Sequence, residues 1–173
     1  EYTKMGIART FQIMKPMKNL TVLDNVIASS YYGTKPAKNA IEAREKALDI
    51  LNFTGLYEKR HDLSKDMGTP DQKRLEMARA LATNPEMLFL DENMAGLNPT
   101  ETDEAIQLIR RINESGVTIL LIEHIMKAVV SLCEDVIVLH HGEKIAVGTP
   151  EEVMNDPYVM EVYLGQKKED AHA

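Results

Sequence analysis

The sequence predicts an α/β fold, a parallel-sheet core bearing a helical subdomain, and three observations carry that reading. From Glu86 onward, short apolar runs alternate with amphipathic stretches of helical period, the pattern of β-α-β units. Between residues 19 and 83 the apolar positions recur at helical spacing instead. The longest apolar runs, 117–122 and 136–139, fall far short of the roughly 18 residues needed to cross a bilayer.

The elements follow in chain order. Leu20, Leu23, Val26 and Ile27 form one helical stripe, and Ala40, Ala43, Ala47, Leu48 and Leu51 form another. Gly33-Thr34-Lys35-Pro36 separates them and Gly55 ends the second. A third helix is predicted from about Asp71 to Thr83, stopped by Asn84-Pro85. Met87-Leu88-Phe89-Leu90 has no polar alternation, as expected of a strand covered on both faces. Asn98, Pro99 and Glu101 are strong start signals for the next helix, which ends at Gly116. Residues 117–122 are predicted as a second buried strand and 125–133 as a short helix. Residues 136–139 and 144–147 read as two strands joined around Gly142-Glu143, and Thr149 caps a last helix.

A chain of 173 residues, 44% apolar and 27% charged, has the make-up of one globular unit. Its single cysteine, Cys133, supports no disulfide framework and fits a reducing compartment, so the cytoplasm is the expected location. The formal charge of −7 and the lack of a Lys/Arg cluster argue against a nucleic-acid partner. Glu1-Tyr2-Thr3-Lys4 carries no initiating Met and no signal pattern, so Glu1 is expected to be an internal position of a longer chain.

In open α/β sheets, ligands bind beyond the carboxyl ends of the parallel strands. Two strands here end in Asp91-Glu92 and Glu123-His124. If those strands are near neighbours, an acid pair and an imidazole converge on one edge. Asp-Glu after an apolar strand suits nucleotide hydrolysis: one carboxylate reaches magnesium, usually through water, and the next polarises the attacking water. His124 would contact a terminal phosphate or hold that water.

Four segments then resemble, in order, the motifs of ABC ATPases. Ile7-Ala8-Arg9-Thr10-Phe11-Gln12 resembles a Q-loop, Leu90-Asp91-Glu92 the end of a Walker B strand, Ala95-Gly96-Leu97-Asn98-Pro99 a D-loop, and Ile122-Glu123-His124 an H-loop. Arg-Thr-Phe-Gln, Gly-Leu-Asn-Pro and Val162-Tyr163-Leu164-Gly165 are most similar to the ATP-binding subunits of high-affinity branched-chain amino acid transporters. The resemblance implies a P-loop NTPase-type core with ATP and Mg2+ as cofactors. In it Gln12 senses magnesium, Asp91 supports the metal, Glu92 is the general base and His124 the switch. Asn98 falls on the nucleotide side of the D-loop, although helix capping alone accounts for it.

The sequence departs from the family in two places. No G-x-x-x-x-G-K-[S/T] loop occurs among the 173 residues, so this chain by itself is expected to bind ATP poorly and to be inactive. The Leu-Ser-Gly-Gly-Gln signature falls on Met67-Gly68-Thr69-Pro70-Asp71, where Gly68 replaces the serine and Pro70 a glycine. The hydroxyl is lost, and proline has no N–H to offer a phosphate, with Thr69 as partial compensation. Asn93 stands where the family has proline.

The expected organisation is a partial ABC ATPase domain, truncated at its N-terminus. A helical subdomain covers 19–83, half of an α/β core 84–165, and a frayed tail 166–173. The resemblance implies a second ATPase subunit, identical or not, a pair of membrane-spanning permease subunits, and indirectly a periplasmic or extracellular binding protein. It places the chain on the cytoplasmic face of the membrane. Two alternatives remain open at this level: a degenerate subunit that docks without hydrolysing, and the ATPase of another branch such as lipopolysaccharide export.

Overall fold

The computed structural model describes residues 2–10 and 16–162. Gln12, Tyr163-Leu164-Gly165 and the tail 166–173 therefore lie outside the described residues. The chain divides into two compact units, Glu1–His124 and Ile125–Ala173.

The first unit contains a three-stranded parallel sheet in the order β1-β2-β3, with β1 at Ile7–Arg9, β2 at Met87–Asp91 and β3 at Thr118–Ile122. Three helices lie between β1 and β2 in the chain: α1 (Val22–Ser30), α2 (Ala40–Phe53) and α3 (Thr69–Leu81). α4 (Pro99–Glu114) connects β2 to β3. The helices start where side chains can take up orphan backbone donors. Thr21 accepts the Asp24 N–H, Asn39 accepts that of Glu42, and Asn98 with Glu101 forms a reciprocal capping box. α2 and α4 stop just before Gly55 and Gly116, whose φ values of +76° and +97° suit glycine.

The three helices close on a core that includes Leu23, Val26, Leu51, Leu56, Leu75 and Ala78. Each fully buried leucine there contributes about 1.5–3 kcal/mol relative to exposure. α3 is buried on two faces: Leu75, Ala78 and Ala82 join the helical core, while Lys73, Met77 and Ala80 form a second buried stripe at helical spacing. α3 starts two residues before its sequence expectation because Pro70 sits in the first turn, where its missing N–H costs nothing. The α1–α2 loop is fastened to the end of α3. Thr34 Oγ1 donates to Asn84 O at 2.7 Å and the Thr34 N–H to Thr83 O at 3.2 Å. Gly33, at φ +101°, lies so close that a Cβ would stand 1.8 Å from Thr83 O.

The expected coverage of the strands is only partly found. On β2, Leu88 and Leu90 are fully buried while Met87, Phe89 and Asp91 are half-buried. β3 is not a buried strand: Leu120 and Ile122 are 44% and 52% exposed, because β3 pairs with β2 alone among the described strands.

The second unit comprises α5 (Met126–Leu132), the antiparallel pair β4 (Val136–His140) and β5 (Glu143–Gly148), α6 (Pro150–Asn155) and a helical stretch over 157–162. His141 and Gly142, both at positive φ, make the two-residue turn that matches the twist of a hairpin. Among its described residues the buried apolar ones are Ala128, Val129 and Val153. Thr149 and Glu152 form the capping box of α6, and the Thr149 backbone and hydroxyl donors hold the Glu152 carboxyl below its usual range. No helix among the described residues is long and apolar enough to cross a membrane.

Candidate functional site

The site is built by strand register. β2 and β3 pair in parallel with Asp91 opposite Ile122, so Glu92 and Glu123-His124 leave the sheet side by side. The Glu92 N–H adds one more bond to the ladder, donating to Ile122 O at 2.9 Å. The chain then turns at φ +45° on Glu92, a left-handed conformation that costs a residue with a side chain about 1–3 kcal/mol.

That strained turn is held from three directions. Ala95 N–H donates to Glu92 O at 3.2 Å, and Met94 N–H to Glu123 Oε1 at 2.9 Å. From α3, Lys73 Nζ donates to Glu92 O at 3.4 Å. Asn93, which stands where the family has proline, is only 3% exposed, and its Oδ1 has no hydrogen-bond partner among the described residues.

His124 Nδ1 lies 4.0 Å from Glu92 Oε1, an ion-pair separation when the imidazole is protonated. Asp91 is engaged by Arg9, whose guanidinium donates to Oδ2 at 2.7 Å. Thr10, fully buried and bonded through its N–H to Phe89 O at 2.9 Å, brings the end of β1 to this same edge.

Asp91, Glu92 and His124 are thus brought together. Gly68, Thr69, Pro70 and Asp71 sit instead at the N-terminus of α3, with Gly68 as a cap lacking a side chain. The Asp71 carboxylate pairs with Lys59 and, at 3.9 Å, with Arg74. Asn98 Oδ1 is committed to the α4 cap, accepting the Glu101 N–H at 2.9 Å. Lys73 and Glu123 carried no role in the sequence reading. The signal for Lys73 was a lysine on the stripe shared with Met77 and Ala80, where burial demands a partner.

Among the described residues no three metal-ligating side chains cluster. A single hard carboxylate at Asp91 still fits magnesium, which commonly takes one or two carboxylates and completes its shell with water and phosphate.

The acid pair and the imidazole stand together at the carboxyl edge of a parallel α/β sheet, the arrangement expected of an ABC-type cassette. The ABC transporter family model matches residues 1–95, and that of the branched-chain amino acid ATP-binding cassette transporter matches residues 143–169. The high-affinity branched-chain amino acid transport ATP-binding protein LivG of Salmonella typhimurium is 38% identical over 179 residues, covering 96% of this chain and 70% of that protein. The ADP conformation of MJ1267, an ATP-binding cassette of an ABC transporter, superposes with a TM-score of 0.81 at 32% identity, over 95% of this chain and 70% of that one. A dimeric post-hydrolysis state of the cassette MJ0796, bound to ADP and Pi, superposes with a TM-score of 0.73 at 26% identity, over 83% and 62%. The chain belongs to the ATP-binding subunits of ABC transporters.

Proposed function

We propose that this chain is part of the ATP-hydrolysing subunit of an importer for branched-chain amino acids, working on the cytoplasmic face of the membrane. The observation that carries the reading is the β2–β3 register, which sets Asp91-Glu92 beside His124. The match of residues 143–169 favours branched-chain amino acid import over lipopolysaccharide export. The finer division into a helical subdomain (19–83), a core half (84–165) and a tail (166–173) belongs to the same reading, as does a magnesium-sensing role for Gln12.

In this reading the Glu92 carboxylate orients and polarises the attacking water, and His124, next to it, steadies that water against the terminal phosphate. Asp91 would hold magnesium, which when bound neutralises charge on the phosphate oxygens. The Arg9 guanidinium engages Asp91 Oδ2 at 2.7 Å, so a metal on this carboxylate would share it with an ion pair. In this reading residues 68–71 and Asn98 face the nucleotide of a second ATPase subunit; the related cassette MJ0796 forms a dimer bound to ADP and Pi. The deciding experiment is hydrolysis by the assembled transporter. Stimulation by binding protein loaded with leucine, isoleucine or valine supports the reading; indifference to all three counts against the substrate.

Three further outcomes are expected. The 173-residue chain has no phosphate loop, so isothermal titration should give no Mg-ATP constant tighter than millimolar. A micromolar constant would mean that other groups cradle the phosphates.

The second concerns the permease. A groove of about 650 Å3 is lined by Met17, Ile27, Ala28, Tyr31, Tyr32 and Arg79 among others. Met17 is pinned by its backbone: its N–H donates to Asn25 Oδ1 at 2.9 Å, and Ser64 Oγ donates to its carbonyl at 2.9 Å. Its adaptable side chain is left to line the groove, which suits a helix of a membrane subunit. Met17→Glu is expected to uncouple uptake from hydrolysis with thermal stability unchanged. Unfolding of the variant would assign Met17 to the core.

The third concerns the signature. Gly68 has φ −68°, and a Cβ there meets only Pro70 Cδ at 3.8 Å, so serine fits and supplies the missing cap. Gly68→Ser is expected to stabilise the fold by a few tenths of a kcal/mol, roughly the difference between serine and glycine caps. Together with Pro70→Gly, which restores a backbone donor at the helix start, it is expected to raise turnover at saturating ATP. Unchanged turnover would remove this segment from the rate-limiting step.

A further inference from the structure

We propose that Lys73 is a positioning residue for hydrolysis, a strut from the signature-bearing helix α3 that holds the Glu92 carbonyl and thereby fixes the left-handed turn that aims the Glu92 side chain. The inference rests on the assignment of Glu92 as the base.

The geometry is specific to this turn. Glu92 is one of only three non-glycine residues at positive φ among the described ones, and strain of that kind persists only where its surroundings enforce it. A chain turning at a strand end could shed the strain by rotating the peptide after Glu92. Two side chains oppose that rotation. The Lys73 ammonium takes the Glu92 carbonyl on one side of the turn, and the Glu123 carboxylate takes the Met94 N–H two residues further on. Met94 itself is fully buried, so the far end of the turn is also anchored by packing.

Lys73 is placed for this task at a cost. It is 6% exposed, on the α3 stripe with Met77 and Ala80. Burial pulls its ammonium below the usual lysine range, against the opposing pull of Glu123, Glu76 and Glu92. Glu123 Oε2 is also buried, without a hydrogen-bond partner among the described residues. A buried lysine among carboxylates gains little stability over an apolar residue of similar size, so its charge serves geometry better than stability. The arrangement also gives α3 a direct handle on Glu92. The helix that starts at the signature segment ends its first full turn at the residue holding the base, so a shift of α3 is transmitted to the turn through one hydrogen bond.

The test uses four variants in the assembled transporter, with a phosphate-binding loop present, and hydrogen exchange on this chain. Lys73→Met keeps the bulk and removes the donor. It is expected to lower kcat at least tenfold, with KM for Mg-ATP changed less than threefold, and to speed exchange of the Met94 amide at least tenfold. Lys73→Arg, which can still donate, is expected to recover most of kcat and of the protection. Glu123→Gln, which weakens the acceptor for Met94, is expected to speed the same amide while leaving KM close to normal. Glu92→Gln is the control for the underlying reading. If Glu92→Gln abolishes turnover while Lys73→Met leaves kcat and Met94 exchange at their original values, the strut is overturned and the base assignment survives. If Glu92→Gln retains turnover, the base assignment itself has failed. A Lys73→Met variant that loses kcat and raises KM in equal measure, without rescue by arginine, shows a merely structural lysine.

Discussion

Replacing Glu92 with Gln is expected to lower ATP turnover by a factor on the order of 10² or more, with Mg-ATP binding retained, in the transporter with its phosphate loop present. Glutamine keeps the size of the side chain and its approach to His124, and loses the ability to take a proton from water. Asp91→Asn is expected to separate from it cleanly. Its loss of rate comes with a raised magnesium requirement, because a neutral amide is a poorer partner for a hard cation. The same change frees Arg9 from its 2.7 Å ion pair. Turnover and Mg-ATP affinity, measured side by side in the two variants, decide the matter. Near-normal turnover in Glu92→Gln would place the base elsewhere.

Gly33→Ala is expected to destabilise the first unit by about 3–5 kcal/mol, combining left-handed strain with a clash against backbone. The added Cβ would fall 1.8 Å from Thr83 O, and a carbonyl cannot swing aside as a side-chain tip can. The flanking Thr34 bonds to Thr83 and Asn84 would be broken in the process. Against a typical total of about 5–15 kcal/mol, a loss of that size lowers the thermal midpoint by roughly 10 °C or more. Gly116→Ala is the matched comparison: its φ of +97° is close to that of Gly33, with nothing within 4 Å of the new Cβ, and it should cost visibly less. Equal losses at the two positions would show that backbone conformation alone sets the cost.

The sequence expressed its helices through local chemistry, which is why they were legible. The Asn98-Pro99-Glu101 start, the Thr149 cap and the Gly55 and Gly116 stops each act within a few residues of themselves. The Asp91, Glu92 and His124 grouping was legible for a different reason. Ligands gather at carboxyl ends of parallel strands, so only the adjacency of β2 and β3 had to be supplied by the fold. Long-range facts were not legible. The half-open state of β3 depends on how many strands flank it, and the meeting of Lys73 with Glu92 depends on how α3 lies near the sheet. The Arg9–Asp91 pair joins residues that no local pattern relates. α3 begins two residues before the expected Asp71, with Pro70 in its first turn, where proline's missing N–H costs nothing.

The pairing of β1 with β2 also sets an order of assembly. Arg9 and Asp91 stand 82 positions apart in the chain, with all three of α1, α2 and α3 between them. Closing so long a loop of flexible chain is entropically costly before any sheet bond repays it. The intervening helices shorten the effective loop once they have condensed around Leu51, Leu56 and Leu75, so helix packing precedes strand pairing. β2 and β3 face a smaller separation, bridged by the single helix α4, and form their ladder as a local β-α-β unit. The β1 strand is therefore expected to dock last, bringing the Arg9 guanidinium onto Asp91. In a refolding experiment, far-ultraviolet helical signal is expected to return early, and protection of the Thr10 amide, bonded to Phe89, in the slowest phase.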